Sequence, residues 1–348
     1  MKSLYYYLSK YRSELMGLAI LWVVWFHSVF YLDFFPHEPV NKAFDFLKDI
    51  GYSGVDIFLL VSGMGIYRSL KKNDAATYFR NRVKKIVPIW WTYLLLNVVL
   101  GALVFDIVFS KLEILSYASF TGFWFDVPNQ GNWYVYFIML VYLISPVLFS
   151  FLDTSRHKKI TCILMMLVTA VISLAFIGNF KLIAFSRMPI YIFGMYLASD
   201  EEAFRVTKLK MLLAFLILVA GNIFLFMMYK SHRSVMWKYG LWWYPFLLMA
   251  PSLALLLSVF FEKCWKVMRY PAKFFALMGK ASLEILLISE YFFANFKKLG
   301  FDLTPRWRSI LEVVLSLIFG VAFHFLIEGG KKLAGRIAAR KKGERRRE

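Results

Sequence analysis

Long apolar runs separated by short polar connections form the pattern of this chain. Ten of the runs approach the length of about 20 residues that a helix needs to cross a membrane. The sixth is short and interrupted by Pro189, and a further patch at 114–125 is interpreted as a re-entrant or interfacial piece. The pattern predicts an all-α, polytopic integral membrane protein with about ten transmembrane helices. The predicted spans lie at 14–34, 51–70, 86–108, 132–152, 159–178, 182–198, 211–229, 239–261, 274–295 and 308–328.

Composition excludes the common soluble and fibrous classes. Of the 348 residues, 60% are hydrophobic and 18% are charged, whereas a soluble globular domain has about 45–50% apolar and about 25% charged residues. Disordered, collagen-like and disulfide-rich chains are excluded by the same comparison. The two cysteines, Cys162 and Cys264, have no metal-ligand spacing, and we expect no metal site.

The distribution of charge predicts an orientation. The net charge is +20, and with a cytoplasmic N-terminus 30 of the 42 Lys and Arg residues fall on the cytoplasmic side, in keeping with the positive-inside rule. We therefore expect both termini in the cytoplasm of a multi-pass cell-membrane protein that contacts lipid and no nucleic acid. Residues 1–330 form the predicted transmembrane domain and 331–348 a basic cytoplasmic tail. The oligomeric state stays open.

Candidate chemistry begins at a histidine inside the first span. Of five histidines, only His27 lies well inside a predicted span, and a titratable group in the membrane is by default a candidate functional site. The alternative is a hydrogen bond that holds neighbouring helices together. The other four are interpreted as structural or solvated, and they are His37, His157, His232 and His324.

Two carboxylates are predicted at a depth similar to that of His27. Asp56 lies early in the second span, which runs inward, and Glu290 lies late in the ninth, which runs outward. A carboxylate that accepts the second ring N–H would orient the imidazole and strengthen it as a base. Alternatively, Asp56 caps the start of a helix near Gly54, and Glu290 makes a polar contact between helices.

A basic cluster, Arg80, Arg82, Lys84 and Lys85, precedes the third span on the cytoplasmic side. It is either an orientation signal or a phosphate site built from charge-assisted hydrogen bonds. Arg12 lies at the cytoplasmic mouth of the first span, fifteen residues before His27, which is roughly 22 Å of helix. This spacing suits a long phosphorylated donor such as coenzyme A, with its phosphates at the mouth and its reactive end near the histidine.

Three residues near the outer face are candidates for binding an acceptor. Arg187 precedes a proline in the short sixth span, and Trp133 and Tyr134 begin the fourth. The arginine could stabilise a developing oxyanion or contact a glycan, and the aromatic rings could stack on sugar. The alternatives are a snorkelling arginine and an aromatic belt at the membrane interface.

Several stretches, taken in order, resemble the membrane acyltransferase-3 family, which acylates extracytoplasmic glycans. MGLAILWVVWFH (16–27) resembles its first helix, GVDIFLLVSG (54–63) its second-helix signature and FRNRVKKIVPIWW (79–91) its basic third-helix start. Three later stretches are similar to further landmarks, at 132–146, 187–194 and 279–289. The resemblance is to the stand-alone form, without an added hydrolase-like domain.

The resemblance implies transfer of an acyl group, usually acetyl, from cytoplasmic acyl-CoA to a hydroxyl on a cell-surface or cell-envelope glycan. His27 matches the family histidine, which acts as base or acyl carrier, and Arg82 and Lys85 match its donor-side basic residues. Met16 stands where the family usually has an arginine, with Arg12 one turn earlier, and Ser289 stands where the family often has a histidine. The rival functions are a polysaccharide or lipid-linked sugar transporter or flippase without covalent chemistry, and a structural scaffold.

Overall fold

The computed structural model describes residues 2–28, 38–128, 132–231, 233–295, 298 and 303–344. Within these ranges the chain forms sixteen α-helices and no strand, which confirms the predicted all-α class. The helices are α1 (Leu4–Lys10), α2 (Arg12–His27), α3 (Glu38–Asp49), α4 (Gly54–Lys72), α5 (Ala75–Val104), α6 (Lys111–Ala118), α7 (Trp133–Thr154), α8 (Lys158–Leu174), α9 (Leu182–Phe185), α10 (Met188–Ser199), α11 (Lys208–Ser231), α12 (Arg233–Tyr239), α13 (Phe246–Lys263), α14 (Trp265–Lys280), α15 (Ser282–Asn295) and α16 (Pro305–Glu344).

Seven helical stretches in the described part of the chain are long and apolar enough to cross a membrane. The other three predicted spans fall on α2, α8 and α15, which have 16, 17 and 14 residues. These lengths lie at or below the lower limit of about 17 residues for a crossing helix. The protein is therefore a helical membrane protein, and the number ten stays a prediction. The seven stretches are Glu38–Lys72, Ala75–Val104, Trp133–Thr154, Leu182–Ser199, Lys208–Met228, Phe246–Lys263 and Trp307–Arg336.

Two of the predicted spans contain breaks that the apolar pattern hides. The sixth divides into α9 and α10, and Pro189 lies in the first turn of α10, where a missing backbone N–H costs no helical hydrogen bond. The ninth predicted span starts inside α14, which ends before Ala281. Only the part from Ser282 onward forms a separate helix, α15. Polar residues mark both breaks, Ser186 and Arg187 in the sixth span and Lys280 and Ser282 in the ninth, but an average over a whole span smooths them out.

The interior of the bundle is built around α2, α4 and α10. Helix α4 packs against α2 and α10, and α2 also packs against α14 and α15. Apolar side chains are left exposed on α8, α11 and α16, which are the faces that lipid would cover in a membrane. Examples are Leu164, Leu167, Leu212, Phe215, Ile318 and Phe325.

Helices α4 and α10 cross at two glycines that face each other's backbone. A Cβ atom added at Gly63 would collide with the Tyr191 carbonyl oxygen, and one added at Gly194 would collide with the Leu60 carbonyl oxygen. Small residues at such crossings let membrane helices approach closely, which strengthens van der Waals packing where no hydrophobic force acts between helices. The crossing fixes α10, and with it the position of Arg187 just before α10 begins.

A second pair of glycines fixes the register of α2 against the start of α4. Gly51 lies against Trp22 and Phe26, and Gly54 lies against Ala19 and Val23. The two segments therefore run antiparallel, and each step inward along α4 is a step toward the N-terminus of α2.

Candidate active site

A cavity of about 440 Å³ lies between the N-terminal part of α2 and helices α4, α5, α7, α15 and α16. This volume falls within the range of small-molecule sites, roughly 300–1,000 Å³. Its wall is apolar on one side, with Met16, Phe58 and Ile89, and basic on the other. The cations among the described lining residues are Arg12, Lys85, Lys280 and Lys331.

The cavity carries an excess of positive charge. Lys331 forms an ion pair with Glu328, with Nζ 2.9 Å from Oε1. Within the described residues Arg12, Lys85 and Lys280 have no carboxylate partner at ion-pair distance. Three cations facing one cavity repel each other, so the arrangement favours an anionic occupant.

Arg12 reaches the cavity because α4 has a glycine opposite it. A Cβ atom added at Gly65 would lie 3.2 Å from both Nη1 and Nη2 of Arg12, which is tighter than an ordinary van der Waals contact. The guanidinium therefore lies close against α4 at this glycine. Met16 lines the same cavity one turn further along α2 and is uncharged. The positive charge on this part of the cavity wall therefore comes from Arg12.

Arg82 borders the cavity through an aromatic contact. Its guanidinium carbon lies 5.6 Å from the centre of the Tyr78 ring and 5.7 Å from that of Tyr142, and Tyr142 lines the cavity. Nη2 donates to the Ser69 hydroxyl oxygen at 3.3 Å. Cation–π contacts hold the charge in place while the cavity remains open beside it.

Arg80 and Lys84, the other members of the predicted basic cluster, are exposed and do not occur among the described residues that line the cavity. The reason is the helical period. Positions 82 and 85 are three residues apart and share one face of α5, whereas positions 80 and 84 share another. The structure therefore brings Arg12 and Lys85 together, with Arg82 alongside, and leaves Arg80 and Lys84 outside.

A histidine–carboxylate pair faces the same cavity. Nδ1 of His324 in α16 lies 3.0 Å from Oε1 of Glu284 in α15, and both residues line the cavity. The carboxylate is buried and fixes the orientation of the ring. His324 was interpreted as structural or solvated, because a position near the end of a span does not reveal a partner forty residues away. The signal that could have found the pair was a titratable residue in each of two apolar spans.

His27 is the last residue of α2, and its side chain is exposed. Its ring makes an edge contact with Phe26, with the ring centres 4.9 Å apart. The neighbouring helix α3 contributes Lys48, whose Nζ donates to the Phe26 carbonyl oxygen at 3.4 Å. His27 does not occur among the described lining residues of the cavity. It lies eleven residues beyond Met16, about 16 Å along the helix. His37 and His232 lie outside the described residues.

Asp56 does not pair with His27 in this structure. Its Oδ1 lies 3.4 Å from Nε of Arg187, and the two side chains are 2% and 1% exposed. Because Gly54 is level with Ala19 and Val23, Asp56 lies about two helical turns inward from His27. The predicted match in depth is wrong, because it assumed that both helices begin at the membrane surface. Any catalytic role of Asp56 stays a prediction.

Arg187 is enclosed by aromatic rings and backbone oxygens. Its guanidinium carbon lies 5.2 Å from the ring centre of Trp133, 5.5 Å from that of Trp243 and 5.9 Å from that of Tyr52. Nη1 donates to the Ile183 carbonyl oxygen at 2.9 Å. Arg187 and Trp133, both predicted on the acceptor side, are thus in contact. Arg187 is closed to solvent, whereas Trp133 is partly exposed. The interpretation of Arg187 as a snorkelling surface residue is excluded by this burial.

The remaining predicted site residues are Tyr134 and Glu290. Tyr134 faces the cation-lined cavity, with its ring 6.3 Å from that of Phe58 and 6.1 Å from that of Trp133. The two aromatic residues are therefore neighbours, and their shared role at an acceptor site stays a prediction. Glu290 hydrogen-bonds to the side chain of Asn132, whose Oδ1 caps the start of α7 by accepting from the Tyr134 backbone N–H at 2.9 Å. Glu290 therefore connects α15 to α7. No contact between Glu290 and His27 occurs within the described residues, and a catalytic role of Glu290 stays a prediction.

These features define a polytopic helical membrane protein with a cation-lined cavity at one end of its first long helix. The sequence model of one family, the acyltransferase domain of the acyltransferase-3 type, matches residues 15–329. No curated protein and no solved structure gives a significant match. The family match covers most of the chain, including every described residue of the cavity wall from Met16 to Glu328. The chain therefore belongs to the acyltransferase-3 family and is a membrane acyltransferase.

Proposed function

We propose that the protein transfers an acyl group, acetyl by default, from acyl-CoA on the cytoplasmic side to a hydroxyl of a cell-surface or cell-envelope glycan. The observation that supports the donor is the cavity in which Arg12, Lys85 and Lys280 meet without carboxylate partners. Coenzyme A carries several phosphate charges, and Arg and Lys bind phosphate through short charge-assisted hydrogen bonds.

The two sides of the cavity suit the two parts of the donor. The basic side, with Arg82 adjoining it, would hold the phosphates. The apolar side, with Met16, Phe58 and Ile89, would hold the uncharged arm that ends in the thioester. Tyr134 and Ser62 add hydroxyl groups to this side and would hydrogen-bond the amides of that arm.

The reaction exchanges a thioester for an oxygen ester. The acceptor oxygen attacks the thioester carbonyl, a C–O bond forms, the C–S bond breaks, and the hydroxyl proton is passed to a base while the thiolate leaves. His27 is the proposed base. In the second route the imidazole attacks the thioester first and carries the acyl group to the hydroxyl. In either route the exposed ring at the end of α2 is the group that meets an acceptor from the outer side.

The direct test uses purified protein in proteoliposomes with radiolabelled acetyl-CoA on the cytoplasmic side. We expect label in an external glycan with the parent protein and none with His27→Ala, since no other described group replaces the ring at this end of α2.

Mass spectrometry of surface glycans from deletion and parent strains would identify the acceptor. If label never enters any acceptor and His27→Ala leaves surface glycans unchanged, the enzyme proposal fails. A transporter or a scaffold would then explain the cavity better.

A charge test addresses the donor site alone. Arg12→Ala and Lys85→Ala are each expected to weaken acetyl-CoA binding about 10- to 100-fold, because a hydrogen bond to a charged group contributes about 1.5–3 kcal/mol. Lys84→Ala is the matched control, because it removes the same charge next to Lys85 from an exposed face of α5. Calorimetry with the detergent-solubilised protein measures all three. An equal loss of affinity in Lys84→Ala would assign the effect to general electrostatics and contradict the site.

A further inference from the structure

Helix α14 has three distinct faces. Lys266, Arg269, Lys273 and Lys280 recur at intervals of three, four and seven residues, so they share one face of the helix. A second face, with Ala272, Met278 and Gly279, is buried against the protein. A third face exposes large apolar side chains, among them Val267 at 78%, Tyr270 at 74% and Phe274 at 47%.

The contacts of α14 show how it lies relative to α2. Gly279 lies against the Ser13 carbonyl oxygen and Gly17 against the Phe275 backbone, so the C-terminal end of α14 is close to the N-terminal end of α2. At the other end of α14 the Trp265 ring is 6.4 Å from that of Tyr11. The 16-residue helix is about 24 Å long. If it ran alongside α2, Trp265 would be level with His27. Instead α14 crosses α2 and stays at the level of residues 11–17.

Because α2 is the first of the predicted spans, a helix that crosses its N-terminal end would lie along the membrane surface. Amphipathic helices of this kind place their apolar side chains at the boundary of headgroups and acyl chains and their basic side chains toward the headgroups. Helix α14 fits this description through its basic face and its exposed apolar face. Within the described residues, Lys266, Arg269 and Lys273 form no ion pair with a carboxylate, so their charge is available to a partner.

We propose that α14 lies in the plane of the membrane and that Lys266, Arg269 and Lys273 bind the headgroups of anionic phospholipids. The apolar face decides between partners. A soluble acidic protein or polymer on the basic face would leave Val267 and Tyr270 in water, whereas a lipid surface covers both faces at once. Each basic residue near an anionic membrane surface contributes about 1 kcal/mol to binding, which corresponds to about a fivefold gain in affinity.

The helix that carries this lipid site also contributes to the wall of the cation-lined cavity. Gly279 and Lys280 at the end of α14 line that cavity, as do Arg12, Ser13 and Met16 of the helix that α14 crosses. Anionic lipid on the basic face would therefore hold the cavity wall in place from the membrane side. The proposal rests on α14 alone and stands whether or not the cavity binds acyl-CoA.

The first experiment measures lipid preference. The full-length protein in neutral detergent is titrated with phosphatidylglycerol or phosphatidylcholine, and bound lipids are counted by native mass spectrometry. Lys266→Gln/Arg269→Gln/Lys273→Gln is expected to reduce the preference for phosphatidylglycerol roughly a hundredfold, from three basic residues at about fivefold each. The matched control removes three exposed basic residues elsewhere on the same predicted side, with Arg156→Gln/Lys159→Gln/Lys208→Gln. An unchanged preference in the α14 variant, or an equal loss in the control, overturns the proposal.

A second experiment tests the orientation without removing any charge. Single cysteines replace Val267, Tyr270 or the exposed Glu201 in a Cys162→Ser/Cys264→Ser background, and nitroxide labels are read in vesicles that contain phosphatidylglycerol. Labels at 267 and 270 are expected to be accessible to oxygen dissolved in the lipid and shielded from a water-soluble nickel reagent. The label at 201 is expected to be accessible to the nickel reagent and to be little affected by oxygen dissolved in the lipid. Water exposure at 267 and 270 would show that α14 faces the solvent, and a soluble partner would then replace lipid.

Discussion

Asp56→Ala is expected to lower the free energy of unfolding by about 3–5 kcal/mol, the usual effect of removing one partner from a buried ion pair. Arg187 would keep its charge in an enclosed site with only backbone oxygens and ring faces around it. Reversible unfolding in mixed micelles, followed by circular dichroism, measures the change. Arg205→Ala is the control, because it breaks an exposed ion pair with Glu202, and such pairs contribute little.

The double variant Asp56→Leu/Arg187→Met separates a structural role from a functional one. Replacing both charges with apolar groups of similar volume removes the unpaired charge, and buried pairs replaced in this way often regain their stability. We expect most of the lost stability to return. If acyl transfer also returns, the pair is structural. If the double variant is stable but inactive, Arg187 or Asp56 has the acceptor-side role that the sequence predicted. A double variant as unstable as Asp56→Ala would contradict the ion-pair explanation.

Gly194→Leu and Gly63→Leu are each expected to abolish most of the folded protein. Each new side chain would enter the backbone of the opposing helix, at Leu60 or at Tyr191, and neither backbone segment can move without separating α4 from α10. Overpacking of an interior typically costs 1–3 kcal/mol and more where the obstacle cannot shift. The yield of monodisperse protein in detergent and its melting temperature report the effect.

The control for this crossing is Gly329→Leu. Gly329 lies in α16, and a Cβ atom added there meets nothing within 4 Å. Leucine is a better helix former than glycine by about 0.5–1 kcal/mol, so the control is expected to be as stable as the parent or slightly more stable. Equal losses at 63, 194 and 329 would show that glycine-to-leucine changes are harmful in general and would remove the argument from close packing.

The sequence predicts the helices well because hydropathy is local. Every predicted span coincides with a helix over most of its described residues, as 133–152 does with α7. An interruption of the sixth span was expected at Pro189, close to the break before α10. The break before α15 was not predicted, because an average over a whole span smooths out Lys280 and Ser282. The in-plane helix α14 was assigned partly to a loop and partly to a span, because its three faces appear only when the helix is placed against α2.

The sequence predicts which residue types the candidate site contains, but it does not predict which of those residues form ion pairs with each other. Arg12 and Lys85 were expected on one side of the membrane, and the structure puts them in one cavity. The pairs Asp56–Arg187 and Glu284–His324 join helices far apart in the chain. Depth counted along isolated spans cannot give such pairs, because it ignores the register that close contacts such as Gly51 against Phe26 impose.

The shortness of α2 bears on the depth at which an acceptor would have to meet His27. Its 16 residues give a length of about 24 Å, whereas the hydrocarbon core of a bilayer is about 30 Å thick. A helix of this length that begins at one surface ends several ångströms below the other. His27 would then lie several ångströms below that surface, and an acceptor would have to reach inward to meet the ring.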